Sequence, residues 1–423
     1  MSKRWLAAAL SAILLPSSQT PLPTAGQRLT HLREQAATLA KSSDHQARLA
    51  VILEIRKFLN NSPRYIESAA AAYAVVGDTN QALAALEEFA AMGQADDALL
   101  PGKDPRLAPL QNLPRYQAVL KRMAANSVPL TRSETAFTLS DANLQPEDID
   151  YDATTATFLI TSVREKKIIR VTKSGTATDF ARSPSNWPMM AIKIDTTHKL
   201  VWATEAALNG FASVPKADWG RSAVLSFDLA SGTLRQRIEA PNTALGDLTL
   251  TPHGEPIVSD GENGGVYRIR NNKLEPINQT DFISPQTPVV LPDGNRALVP
   301  DYLRGIALLD LTTGQVLWLD SAKTALSGVD GLYLPGTTLL LTQNGTTPER
   351  VLRVRLDPTL TKVVSEDTIE RATPTLGDPT HGVLVGNQFY YIANSGWDKV
   401  GDDGESQTGQ TLTPARLMRY RLR

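Results

Sequence analysis

The period of the hydrophobic positions changes about a third of the way along the chain. Over residues 25–128 apolar side chains recur three and four apart, clearly so in 29–39 and 47–59, in a stretch rich in Ala and Leu and poor in Gly. That spacing lines one face of a helix. Residues 62–93 predict two helices joined at Gly77-Asp78, with Tyr73 four residues before the glycine and Ala82 five after it. From about residue 135 the period becomes two. Runs of Val, Ile, Leu and Thr alternate with Gly, Pro, Asp and Asn turns, the pattern of short strands. Strand cores are expected at 157–161, 167–171, 200–203, 223–228, 256–259, 266–269, 297–299, 305–309, 338–342, 351–355 and 389–393. Ser231-Gly232, Asp293-Gly294 and Thr313-Gly314 suit tight hairpins between them.

A longer repeat underlies the strands. Six segments share a polar or small start followed by alternating apolar residues, and they begin at Pro146, Met189, Leu245, Gln286, Val329 and Thr380. Their spacing, roughly 40 to 55 residues, is that of propeller blades. One four-stranded blade cannot bury both of its faces, whereas a closed ring of blades can. The predicted fold is therefore mainly β: a six-bladed β-propeller over 135–423, preceded by an α-helical region over 25–128. The last strand, 415–422, is expected to pair with 136–139 and close the ring, which protects edges otherwise left open.

The first residues read as an export signal over 1–24. Lys3 and Arg4 precede an apolar run at 5–15, too short to span a bilayer, which Pro16-Ser17-Ser18 ends. The expected location is the periplasm or the outside of the cell, and no later segment is long and apolar enough to cross a membrane. A net charge of -1 gives no reason to expect nucleic acid as a partner. The absence of cysteine excludes disulfides, thiolate metal sites and cysteine nucleophiles.

In a propeller the starts of the innermost strands converge at one mouth of the central channel. Aligning the six starts brings Glu147, Met190, Gly246, Thr287, Asp330 and His381 together there, with Asp247 beside Gly246. A second set, the polar residue after each following strand, comprises Ser162, Glu205, Asp260, Asp301, Gln343 and Asn394. These are candidate ligand-binding groups or plain turn caps, since Asp and Asn cap turns routinely. Facing carboxylates at Glu147 and Asp330 call for a cation, a proton or a ligand hydroxyl between them. Trp187 and Trp219, in loops, are candidates for stacking on a ligand. Residues 394–414, long, polar and rich in Gly and Asp, read either as a lid or, over 399–413, as a disordered loop.

The run 145–152 and the motif Val329-Asp330-Gly331-Leu332 resemble the senescence-marker-30/gluconolactonase family of six-bladed propellers. The helical region, through Tyr73, Gly77 and Ala82, resembles a tetratricopeptide repeat. The first resemblance implies one divalent cation, calcium or zinc, held by a Glu, two Asn and an Asp, with the Asp as base in lactone hydrolysis. Glu147 matches the Glu and Asp330 the Asp. The two Asn positions fall at Gly246 and Thr287, and His381 lies in a blade that supplies no ligand in that family. The residues here offer either a different three-ligand site of Glu147, Asp330 and His381, with Asp330 and His381 as the candidate catalytic residues, or a channel that has lost the metal and binds something else. Two functions follow. One is a metal-dependent lactone or ester hydrolase taking a small-molecule substrate at the mouth. The other is a non-catalytic propeller binding a small molecule or a protein, with the helices as the protein-docking surface.

Overall fold

The computed structural model describes residues 23–321 and 323–422. The apolar run at 5–15, and with it the export signal, lies outside them. Five α-helices come first: α1 (Ala25–Ala40), α2 (His45–Phe58), α3 (Pro63–Val75), α4 (Thr79–Ala91) and α5 (Pro114–Asn126). Thr24 starts α1 with a capping box, its hydroxyl accepting from the Gln27 amide while the Gln27 side chain accepts from the Thr24 amide. The expected turn between α3 and α4 is present. Gly77 takes φ +84°, which a glycine adopts freely. Asp78 then caps α4 through the Gln81 amide at 3.1 Å. Ala82, fully buried, lets α4 close on Ile66, Ala70 and Ala74 of α3. Among the described residues no helix is long and apolar enough to cross a membrane.

The remaining strands form six sheets, and the fold is a six-bladed propeller. All six predicted starts become the innermost strands: Pro146–Asp152, Met189–Asp195, Leu245–Leu250, Val289–Val290, Val329–Tyr333 and Gly382–Val385. The fourth is short because Pro285 and Pro288 have no amide hydrogen to give a ladder. Period-two alternation sends each strand's apolar residues to two different inter-blade cores. In the first blade Phe158 and Ile160 pack against Tyr390, Ile392 and Leu417 of the sixth, while Leu159 packs against Met189, Ile192 and Val201 of the second. Closure follows the expected pairing. Glu134–Thr138 joins Arg416–Arg421 as the outermost strand of the sixth blade, with Phe137 opposite Leu417.

The helices sit on the propeller at one defined end. The α1 start donates from the Ala25 amide to the Thr280 carbonyl at 2.7 Å. Asn60, just after α2, donates to the Arg304 carbonyl at 2.9 Å. The Arg304 guanidinium is stacked between Phe58, 4.4 Å away, and Trp318, 4.3 Å away. Arg350, 2% exposed, donates to the Met92 carbonyl at 2.8 Å, and the Ala95 amide donates to the Thr347 carbonyl at 2.7 Å. Thr280, Arg304 and Thr347 all lie in connections at the end where the innermost strands begin. The helical region therefore rests on the face that carries the channel mouth, over the fourth and fifth blades.

Candidate active site at the channel mouth

The aligned ring positions converge as the repeat requires. Ligand atoms of Glu147, Asp330 and His381 all lie within 4.8 Å of one another, and all three residues are buried. Asp247 joins them in place of Gly246. The same irregular step occurs in the ladders at 146/149, 189/192, 245/247 and 329/331, so Asp247 holds the position equivalent to Asp148 and Gly331 and reaches the His381 ring from there.

His381 is fully committed. Its Nδ1 donates to the Glu147 carbonyl at 2.9 Å. Its Nε2 faces the Asp247 carboxylate at 2.7 Å and the Thr287 hydroxyl at 2.6 Å, and that hydroxyl donates to Asp247 at 2.7 Å. Burial by itself would lower the affinity of the ring for a second proton. Asp148, Asp247 and Asp330 outweigh it and hold the imidazole well toward its cationic form. Deeper in the channel Lys193 plays a similar part, with its Nζ 2.7 Å from Asp148. Burial disfavours that ammonium, and the charges of Asp148 and Asp150 override the penalty.

The two mouth carboxyls respond differently. Burial and the nearby Asp330 push Glu147 up to about 8. Burial raises Asp330 too, but the His381 cation opposes the rise and leaves it at about 6. Each has one side-chain donor. Trp397 Nε1 donates to Glu147 Oε2 at 2.6 Å, and Asn344 Nδ2 donates to Asp330 Oδ2 at 3.0 Å. Beside Asp330, burial and the charges of Glu349 and Asp330 push Asp378 up to about 7. Facing carboxyls whose proton affinities are driven apart are the basis of an acid–base pair.

Of the other predicted positions, Met190 lies at the mouth, its side chain in an apolar cluster with Val163, Ala206, Phe211 and Trp397. Most of the second set holds the connection that leads into its own blade: Ser162 bonds the Leu144 carbonyl, and Gln343 donates to the Ala325 and Ser327 carbonyls at 2.9 Å. Glu205 accepts from Ser185 at 2.7 Å and Arg237 at 3.0 Å. Asp260 accepts from the Asn263 amide at 2.9 Å. Asp301 accepts from four backbone amides, those of residues 283, 284, 303 and 304. Asn394 accepts from the Arg416 amide at 2.7 Å. Trp187 is buried between Arg221 and Arg237, whereas Trp219 is 38% exposed.

No protein-family model and no curated protein matches the sequence. Solved propellers share the fold. The PQQ-bound aldose sugar dehydrogenase of Streptomyces coelicolor is 12% identical, with a TM-score of 0.48 over 69% of this chain and 99% of that one. Virginiamycin B lyase from Staphylococcus aureus is 16% identical, with a TM-score of 0.44 over 60% and 79%. Luciferin-regenerating enzyme is 12% identical, with a TM-score of 0.43 over 69% and 94%. These are likenesses of fold, and the chemistry has to be read from the site itself.

Two features of that site escape the sequence reading. The first is a set of inter-blade stitches made by the residue just before the second set. Thr161 donates to the Met190 carbonyl at 2.6 Å, Thr204 to the Gly246 carbonyl at 2.8 Å and Ser259 to the Gln286 carbonyl at 3.1 Å. Thr342 bonds the Thr380 carbonyl in the same way. The signal was present as a Thr or Ser preceding a polar residue in four of the six repeats: 161–162, 204–205, 259–260 and 342–343. The second is the loop at 394–414, which is folded. Gly396, at φ +92°, turns the chain into a short helical turn (Trp397–Lys399) that brings Trp397 onto Glu147.

Proposed function

We propose that the channel mouth is the active site of a hydrolase that opens an ester or lactone, with Asp330 as base and Glu147 as acid. The observation that carries this reading is the facing pair itself: Glu147 and Asp330 lie buried at the mouth with ligand atoms within 4.8 Å of each other, where burial raises both proton affinities and the His381 charge holds that of Asp330 down. Asp330 accepts a proton from water as its oxygen bonds to the carbonyl carbon. Glu147 gives its proton to the leaving alkoxide as the carbon–oxygen bond breaks. The two carboxyls, a few ångströms apart, then exchange the proton and return to their starting states. The His381 cation below them favours the negative charge that develops on the carbonyl oxygen.

The donor set also bears on a metal. Glu147, Asp330 and His381 bring one ligand atom each within 4.8 Å of one another, a set zinc would use only with the His381 ring neutral. The carboxylates of Glu147 and Asp330 fit a larger, oxygen-seeking ion such as calcium. When bound, that ion would supply Lewis-acid polarisation of the carbonyl, the part that the His381 charge plays without it. The location outside the cytoplasm rests on the basic and apolar start of the chain alone, and N-terminal sequencing of the mature protein tests it.

The deciding experiment measures hydrolysis of p-nitrophenyl acetate and dihydrocoumarin from about pH 5 to pH 9, with chelator and with added calcium. Metal content is measured in parallel. Without metal, activity should rise through about 6 and fall above about 8, the two limbs belonging to the pair. Asp330→Asn and Glu147→Gln should each lower the rate by about 10²-fold or more. Rates equal to the uncatalysed reaction throughout would favour the non-catalytic binding propeller.

A further inference from the structure

Each mouth carboxyl is met by a donor from a neighbouring loop, and both loops are shaped to deliver it. On one side, Trp397 is fixed from behind. It packs 5.9 Å from Phe211, and the loop it rides on is tied down by Arg164, which bonds Glu405 at 2.8 Å and the Gly404 carbonyl at 3.2 Å. Gly404 itself lies so close to the backbone of Phe211 that a Cβ there would stand 2.5 Å from the Phe211 carbonyl carbon. On the other side, Asn344 is clamped. Its Oδ1 accepts from the Tyr302 hydroxyl at 2.9 Å, which leaves Nδ2 free to donate to Asp330. Gly345 makes room for this, since a Cβ there would stand 2.7 Å from the Tyr302 hydroxyl and 2.5 Å from the Gly328 backbone.

We propose that Trp397 and Asn344 are positioning residues for the reaction, holding Glu147 and Asp330 in the orientation needed for proton exchange. The proposal rests on the hydrolase reading of the same site. Both residues act through the carboxyl they hold. Partners of this kind fix a rotamer that several alternatives would otherwise share, and losing them typically costs about 10–100-fold in activity. The arrangement also assigns a role to residues 394–414: the loop brings a donor to the site rather than merely covering it.

The test compares Trp397→Phe and Asn344→Leu with wild type on p-nitrophenyl acetate, with Leu317→Ala, on an exposed outer strand, as the control. Both positioning variants should lose about 10–100-fold in kcat with KM changed less than threefold. Asn344→Gln, which keeps an amide, should recover part of the loss that Asn344→Leu shows, and the control should match wild type. A second measurement does not need turnover. In thermal melts, Trp397→Phe and Glu147→Gln combined should shift Tm by less than the sum of the single shifts, and so should Asn344→Leu with Asp330→Asn. Additive shifts in both pairs, or unchanged kcat in both variants of an active protein, would overturn the proposal. Non-additive shifts in a protein without hydrolytic activity would keep the contacts and sink the hydrolase reading instead.

Discussion

Glu147 illustrates what a site costs the residue that serves it. Its carboxyl sits where burial and Asp330 favour the protonated form, so the folded protein holds a proton there that the unfolded chain releases at lower pH. A group raised in this way supports the fold fully below its unfolded value, and the support fades as pH rises through about 8. Glu147→Gln should therefore melt higher than wild type at about pH 9, with the gap closing toward pH 5. Chelator-treated protein followed by circular dichroism checks this; an equal gap at both ends would show that Glu147 is not strained by its surroundings. At this scale the sequence was informative for Glu147, Asp330, Thr287 and His381, because a repeat aligns equivalent positions. It could not choose between Gly246 and Asp247, because two successive residues of a strand start can both reach the channel, as Asp148 does beside Glu147.

At the scale of the element, the second strand of a blade carries two kinds of polar residue side by side. The inner one stitches neighbouring blades, and the outer one in most cases holds the connection that leads into its own blade, as Ser162, Glu205, Asp301 and Gln343 do. The stitch at Thr161 is fully buried, accepting from the Asp148 amide at 2.9 Å while donating to the Met190 carbonyl. Thr161→Val would keep the shape and strand both backbone groups, at a cost of about 1–3 kcal/mol for each group left unsatisfied. Urea unfolding should show the loss, and Thr161→Ser should restore most of it. The strands themselves were legible because alternation and turn residues are local signals. Residues 394–414 were not, because a loop rich in Gly and Asp reads alike whether it is free or pinned by a few distant contacts such as Arg164 to Glu405.

Across the whole molecule, the ring and the helices depend on contacts far apart in sequence. The order of the blades could be read from the repeat, and so could the closing strand. The seat of the helices could not, since Arg304 to Phe58 and Arg350 to Met92 join residues about 250 positions apart with no pattern to announce them. Phe137 tests the closure. It is 6% exposed and lies 5.3 Å from Phe158 across the seam between the sixth and first blades. Phe137→Ala should cost about 3–5 kcal/mol in urea unfolding. A loss under about 1 kcal/mol would mean that the seam holds without it.

The closing strand also sets the order in which the protein can be finished. Glu134 and its partner Arg419 are 285 residues apart, so a strand made at the start of the propeller waits for residues 416–421. A growing chain carries that strand, and the helices meant for the fourth and fifth blades, before either has a place to go. Until residues 416–421 arrive, the edges they pair with are open to other chains. Assembly should thus be slow and crowding-sensitive, and a chain cut short before residue 416 would keep five complete blades yet leave its ring unsealed.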